Sequence, residues 1–554
     1  LQIHLASQLE QVAGALGDKP ALIHGDLTRS WREFDDRAAR LTSALMAGGV
    51  VAGDSIAIVM YNGPEWLETF YAAIKCRAIP ANINYRYREE ELLFILRDCS
   101  AKVVVFHARL AEAILRVIPQ MPEDTLWIIV DDETGEPADL PAIIKRYELL
   151  ISANAPAPAI ERSAQDSYLS YTGGTTGLPK GVLMNVSRAT LVVPVWYDIL
   201  FGIAFPPEIK PGEAARLMRE AGRDIIALVA PPLMHSTGLG MTALPALGAG
   251  GTVVTLTSTS YDATEMLAAI EKHRVNWLTI VGDVFARPMV RAIEQGRPGG
   301  GKYDLECLKV ISSAGVAWTA SIKSALLEQL PGVMMMEACG ASEGVAYGSR
   351  IAKAGSTIET GRFDPSDGLK LLAENGEILP REPGQVGLLA APAVANGYLN
   401  QPEKSAQMYR EIDGVLHATP GDYGRWEEDG SFTLLGRRSA VINTGGEKVH
   451  PDEVEDVIKQ MGIAEDCLVF GIPDETWGQS VAAMIQLHPA ANAQVADVIA
   501  YVKRNLAAYK APRHVMFVER VPRGPNAKGD YQVAARMMEA SLVDGADGAA
   551  AKVV

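Results

Sequence analysis

Hydrophobic positions along the first 150 residues switch between two periods. Over 30–46 the apolar residues recur every three or four positions, which predicts an amphipathic helix, and 66–77 repeats the pattern. The apolar run 55–60 reads as a strand, and 103–106 and 126–130 read as buried strands. Such β/α alternation predicts parallel sheets covered by helices. Residues 151–165, rich in Ala, Pro and Ser, read as a connector.

A second β/α block runs from about Asp166 to Leu330, with strand candidates at 225–230, 251–256 and 275–281. The Pro- and Gly-punctuated stretch 200–223 is expected to lengthen or cover a pocket. From Gly368 to Gly436 short strands separated by Gly, Pro and Asn turns predict a small β-rich unit. A last α/β unit starts near Arg438. It holds a helix over 451–461 with Asp452, Glu453 and Glu455 near its positive end, strands at 468–471 and 482–487, and a helix at 495–506. No internal repeat is visible. The expected fold is α/β: a large N-terminal domain, 1–436, of β/α sheet subdomains plus the β-rich unit, then a small α/β domain, 437–542. The Ala-, Gly- and Asp-rich 543–554 reads as a disordered tail.

Composition narrows the function classes. A chain of 554 residues exceeds one core and predicts several domains. A hydrophobic share of 48% with 21% charged residues fits a globular protein. The net charge of −16 argues against nucleic acid or an anionic membrane as partner, so a polyanion needs a local cluster of positive groups. The five cysteines form no C-x-x-C pair, which points to a reducing compartment without structural zinc. No apolar run reaches membrane-spanning length, and the first residues carry no basic, cleavable leader pattern; the expected location is the cytoplasm, with no integral membrane association.

The chemistry concentrates in Tyr171-Thr172-Gly173-Gly174-Thr175-Thr176-Gly177-Leu178-Pro179-Lys180-Gly181. Glycines bend the chain, and its N–H groups, hydroxyls and one ammonium can surround a polyphosphate. It is not a Walker A loop, because Lys180 is followed by Gly rather than Ser or Thr. The stretch Gly296-Arg297-Pro298-Gly299-Gly300-Gly301-Lys302 has the Walker spacing, but Tyr303 stands where a magnesium-binding hydroxyl belongs, so it reads as a surface loop.

The loop at 171–181 resembles the phosphate-binding signature of the adenylate-forming superfamily: acyl- and aryl-CoA synthetases, peptide-synthetase adenylation domains and luciferases. Matching segments follow in the family's order from about residue 30 to 530. Pro231-Pro232-Leu233-Met234-His235 resembles the stretch beside the acyl pocket, although His235 alone would read as a packed core histidine. Ser313-Ala314-Gly315-Val316-Ala317 resembles the segment lying against adenine and the substrate carboxylate. Glu337-Ala338-Cys339-Gly340-Ala341-Ser342-Glu343 resembles x-G-Y-G-x-T-E, which implies a phosphate contact for Ser342 and Mg²⁺ for Glu343. Cys339 replaces the aromatic that stacks on adenine, and Ala338 replaces a glycine. Thr419-Pro420-Gly421-Asp422 and, farther on, Arg437 resemble the ribose contacts. After Arg438, Ser439 stands at the hinge position. By resemblance Gly445, Gly446, Glu447 and Lys448 line the CoA channel, and Lys528 is the adenylation lysine, with Ala527 in place of the usual glycine. Lys510 is a further candidate for a CoA phosphate.

The resemblance implies an ATP-dependent carboxylic acid:CoA ligase with ATP, Mg²⁺ and CoA, catalytic Thr172, Ser342, Glu343 and Lys528, and a rotating C-terminal domain. Small Ala314, Gly315, Val316, Ala338 and Gly340 imply a roomy apolar pocket. The hinge and lysine segments look most like ligases of fatty-acyl or steroid-side-chain acids. The partner expected is a small carboxylic acid, and a homodimer is allowed. An acyl-AMP ligase loading a carrier protein, a non-catalytic nucleotide- or acyl-binding homologue and an oxygen-using luciferase stay open.

Overall fold

The computed structural model describes residues 3–132, 140–172, 179–188, 193–206, 208–437, 441–444, 447–474, 478–489, 491–506, 508–524 and 529–544. The chain forms two compact units: Leu1–Ile358 with Pro392–Ala418, and Glu359–Ala391 with Thr419–Val554. Among the described residues no helix is long and apolar enough to cross a membrane.

The first unit contains two sheets. One runs, in spatial order, through Leu27–Ser30, Pro20–His24, Thr252–Thr255, Ile226–Val229, Trp277–Ile280, Val310–Ser313, Met334–Ala341 and Val345–Ala352. Its interior pairs are parallel, and the last pair is antiparallel. Helices Ala263–His273, Gly282–Gln295 and Ala320–Gln329 bury Met266, Leu267, Phe285, Met289 and Leu326 against Leu228, Leu278, Ile311 and Met335. Each such side chain contributes about 1.5–3 kcal/mol on leaving water.

The other sheet is 8-stranded, ordered Ala395–Tyr398, Lys180–Asn185, Ser167–Thr172, Ile79–Asn82, Ser55–Val59, Ala101–His107, Leu126–Val130 and Ile144–Arg146. From Ser167–Thr172 onward its pairs are parallel; the two hairpin-like pairs at the other edge are antiparallel. The helix expected over 30–46 spans Trp31–Ala47. Ser30 caps it: its hydroxyl accepts the Glu33 N–H at 3.2 Å while Glu33 accepts the Ser30 N–H at 2.7 Å.

Three stretches show detail beyond the expected pattern. The connector expected at 151–165 holds no helix or strand from Asn154 on, but its start closes a helix, Tyr147–Ala153, whose Tyr147 and Ile151 are buried. Within 200–223, helix Pro211–Glu220 packs on the N-terminal helix Leu5–Leu16. Its small face is the reason: a Cβ on Gly212 would run into the Gln11 carbonyl, and Ala214, Ala215 and Met218 are buried beside it. Arg219 then pins it, donating to the Pro20 carbonyl and the Thr252 hydroxyl, each at 3.1 Å. At the far end, helix Tyr531–Asp544 runs past Leu542, where the tail was expected to begin. The Gly296–Lys302 stretch is an exposed loop, as expected.

In the second unit, Asp422–Trp426 pairs antiparallel with Phe432–Arg437 and with Val386–Pro392. A 5-stranded sheet follows, led by Ala464–Asp474 against Gly478–Leu487. Its alternate positions feed two cores: Cys467, Val469 and Ile485 face Val454, Ile458 and Val498, whereas Leu468, Phe470 and Met484 face Ala534 and Met538.

Candidate functional site

Parallel sheets gather chemistry at the C-terminal ends of their strands, where loops open toward solvent. The expected site residues of the first unit follow that rule. His235 lies beyond Ile226–Val229, the 314–317 loop beyond Val310–Ser313, and Ser342 and Glu343 beyond Met334–Ala341. In the other sheet the Thr-Gly loop leaves the end of Ser167–Thr172. Thr172 and Lys180 are Cα partners across an antiparallel pair, so they flank that loop.

The carboxylate of Glu343 is fixed by its turn. Gly344 follows at φ +78°, a conformation that favours glycine, and a Cβ there would stand 2.7 Å from the Ala395 nitrogen. Val394 N–H donates to the Gly344 carbonyl at 2.8 Å. The turn is thus sewn to the neighbouring sheet's edge strand, Ala395–Tyr398. From that strand the Tyr398 hydroxyl donates to Glu343 Oε1 at 3.0 Å, and the Tyr409 hydroxyl donates to the Glu343 carbonyl oxygen at 3.0 Å. Burial, with the Glu343 charge beside it, pushes the Tyr409 phenol above its usual range, so it stays a donor. The Lys180 ammonium lies 5.4 Å from the centroid of the Tyr398 ring. One tyrosine therefore touches both charged groups.

Glu343 is 8% exposed, and its Oε2 is buried with no hydrogen-bond partner. Among the described residues no group of three or more His, Cys, Asp or Glu could hold a metal by itself. A single half-satisfied carboxylate fits Mg²⁺ held chiefly by phosphate oxygens and water.

The 314–317 loop is braced from below. Gly282 N–H donates to Ser313 Oγ at 2.8 Å, and Asp283 accepts the Thr319 N–H at 2.9 Å and its hydroxyl at 2.8 Å. The Glu337 carboxylate accepts the Trp318 N–H at 3.2 Å and pairs with the Lys323 ammonium, both charged groups being buried. Burial raises its pKa, with Lys323 and the Trp318 N–H pulling the other way. A charge on a buried strand must be paired, and here the partner is internal. At Gly340 a Cβ would collide with the Val345 carbonyl, so the backbone there stays bare; Cys339 is buried opposite Gly348.

Beyond Ile226–Val229, His235 is partly buried and its backbone N–H donates to the Pro232 carbonyl at 3.1 Å. A Cβ on Gly315 would lie 3.6 Å from Thr237 Oγ1, so the His235 turn and the 314–317 loop face each other. The turn runs into a π-helical stretch, Leu239–Ala243. Within it the Thr242 hydroxyl lies 3.1 Å from the Thr237 carbonyl and 2.7 Å from Thr279 Oγ1. Asn62, from the other sheet, clamps the same segment: its amide donates to the Pro231 carbonyl at 2.9 Å and accepts the Leu233 N–H at 2.7 Å.

In the second unit Asp422 and Arg437 are Cα partners across an antiparallel ladder, and Asp422 is buried. Lys510 is held by Glu453 at 2.5 Å, so its charge is already met within the protein. Gly173, Gly174, Thr175, Thr176, Gly177, Ser439, Gly445, Gly446, Ala527 and Lys528 lie outside the described residues, as do the side chains of Thr172, Arg437, Glu447 and Lys448. Asn62, Tyr398, Tyr409 and Asp283 were not singled out from the sequence, since no spacing rule links them to the motifs they support.

Residues 9–399 match the AMP-binding enzyme family, and residues 453–528 match the AMP-binding enzyme C-terminal domain. The 3-oxocholest-4-en-26-oate–CoA ligase of Rhodococcus rhodochrous is 33% identical over 540 residues, 96% of this chain and 95% of that protein. The medium-chain acyl-CoA ligase Mig of Mycobacterium avium is 32% identical over 543 residues, 94% of this chain and 96% of that protein. Among solved structures, an anthranilate CoA ligase in complex with anthranoyl-AMP superimposes with a TM-score of 0.81 at 22% identity, covering 98% of both chains.

Proposed function

The chain belongs to the AMP-binding enzyme family, and from that premise we propose that it is an ATP-dependent ligase joining an apolar carboxylic acid to coenzyme A. The observation that carries the reading is the buried carboxylate of Glu343, one oxygen unpartnered, held by the tyrosine that bears Lys180.

A carboxylate is a poor electrophile because its charge is shared between two oxygens. In the first step an acid oxygen attacks the α-phosphorus of ATP, the bond to the β-phosphate oxygen breaks, and pyrophosphate leaves an acyl-adenylate. In the second step a CoA thiol gives up its proton and attacks the acyl carbon, forming the thioester and releasing AMP. The first step crowds negative oxygens together, and prearranged donors stabilise them by a few kcal/mol each. Lys180, Ser342, Thr172 and the 173–177 segment supply those donors. Glu343 would hold Mg²⁺, which neutralises triphosphate charge when bound.

Small Ala314, Gly315, Val316 and Ala338 suit a bulky apolar group beside the His235 turn, whereas Gly340 is kept bare by the Val345 carbonyl. Relatives whose names give medium- and long-chain fatty acids and 3-oxocholest-4-en-26-oate favour a medium-to-long or alicyclic acid over acetate. Asp422 and Arg437 take the ribose hydroxyls. Lys528 is the adenylation lysine, and the 437–542 domain turns about Ser439 to bring Gly445, Gly446, Glu447 and Lys448 to the pantetheine.

Carboxylate-dependent ATP–pyrophosphate exchange over a panel of acids, with AMP release scored when CoA is added, tests the reading. Exchange with no apolar acid would refute it. Lys528→Ala should lower exchange by about 10²–10³-fold while thioester formation from supplied acyl-adenylate persists. Equal loss of both half-reactions would remove Lys528 from that role.

A further inference from the structure

We propose that Tyr398 is a positioning residue that keeps Lys180 and Glu343 apart and sets the metal-dependent part of ATP binding. The proposal rests on the ligase reading. Lys180 and Glu343 carry opposite charges and belong to neighbouring strands and turns, so direct pairing would quench both. The phenol gives each its own partner instead: the ring bears the ammonium at 5.4 Å, and the hydroxyl donates to Glu343 Oε1 at 3.0 Å. That hydrogen bond aims the other oxygen, Oε2, which is buried and unpartnered.

Tyr398 is built to hold this place. It is 5% exposed, its N–H donates to Ser405 Oγ at 2.9 Å, and its ring meets Tyr409 edge-on at 6.0 Å. The next residue, Leu399, donates its N–H to the Gly181 carbonyl at 2.8 Å, tying the tyrosine to the residue after Lys180. Side-chain register between the cation and the carboxylate therefore passes through one rigid ring.

The test is equilibrium binding of ATP with and without Mg²⁺, by calorimetry, to wild type, Tyr398→Phe, Tyr398→Leu and Tyr409→Phe. Wild type should bind ATP more tightly with the metal. Tyr398→Phe keeps the ring and should lose about tenfold of that metal-dependent gain, the scale of one hydrogen bond to a charged group, with metal-free affinity within about twofold. Tyr398→Leu frees Lys180 to pair with Glu343 and should also lower metal-free affinity, by about threefold to fivefold. Tyr409→Phe, whose hydroxyl meets only the backbone of Glu343, should keep the metal-dependent gain. Tyr398→Phe with the full gain overturns the proposal, as does a Tyr409→Phe that loses as much as Tyr398→Phe. Wild type that binds no ATP overturns the ligase reading itself, and the proposal with it.

Discussion

Asn62 shows how one side chain can brace the turn that carries His235 without being part of a motif. Its amide oxygen and nitrogen are both used on the two-proline turn that leads to His235. Asn62→Ala leaves a carbonyl and an N–H without that partner, at a cost of about 1–3 kcal/mol. The KM for the acid in pyrophosphate exchange should rise about tenfold, with ATP affinity unchanged. Asn62→Asp keeps the acceptor for Leu233 and should fall between. Equal effects on acid and ATP would mean general damage instead. The contrast with Glu343 explains what the sequence can reveal at this scale. Glu343 stands within a recognisable string, so its neighbours announce it. Tyr398 is 55 residues from Glu343, and Asn62 is 169 residues from Pro231, so their partnerships exist only once two sheets meet. The converse holds at Glu337, whose motif position gives no sign of the buried lysine its carboxylate meets.

Helices and strands were the most legible scale, because a period of hydrophobic positions is a local signal. The strand 126–130 is Leu126–Val130, and the helix expected over 451–461 spans Pro451–Gln460. Ala464–Asp474 is longer than the apolar core 468–471, since its ends gain pairing from Gly478–Leu487 that no local pattern records. Which face a helix uses was less legible. Pro211–Glu220 carries small residues on the side that meets Leu5–Leu16, and smallness reads equally well as a loop or a pocket lid. Gly212 is the closest approach, where a Cβ would strike the Gln11 backbone. Gly212→Val should therefore destabilise the first unit by about 1–3 kcal/mol through overpacking. In thermal unfolding this is a lower Tm, without a change in the KM for the acid if the helix is no pocket lid. A raised KM with an unchanged Tm would restore the lid.

His107 and Glu455, buried one in each unit, contribute to stability with opposite dependence on pH. In the first unit His107 is buried, its Nδ1 accepts the Tyr61 N–H at 3.2 Å, and burial pulls its pKa from 6.5 down to about 4. The folded state keeps it neutral where the unfolded chain binds a proton, so its contribution is complete above pH 6.5 and is lost as pH falls toward 4. Burial pulls His4 down to about 4 as well, against the attraction of Asp166, with the same sign. In the second unit Glu455 is buried, with Oε1 accepting the Val469 N–H at 2.8 Å, and burial pushes its pKa from 4.5 up to about 8 against the pull of Lys459. There the folded state holds a proton that the unfolded chain releases, so the contribution is complete below pH 4.5 and is lost as pH rises toward 8. Across the shared window, from pH 4.5 to 6.5, raising the pH should add the His107 contribution to the first unit and remove the Glu455 contribution from the second, each on the order of a few kcal/mol, while the raised carboxyls of Glu65, Glu68 and Glu337 oppose His107 in the first unit. The buried thiols of Cys99 and Cys467 report the two units separately. Urea midpoints read by mass-spectrometric labelling of each thiol follow each unit as the pH changes. Glu455→Gln should flatten the Cys467 curve alone, and His107→Gln should reduce the slope of the Cys99 curve alone. A Glu455→Gln that leaves the Cys467 slope intact, or a His107→Gln that leaves the Cys99 slope intact, would show that the group does not contribute as its burial implies.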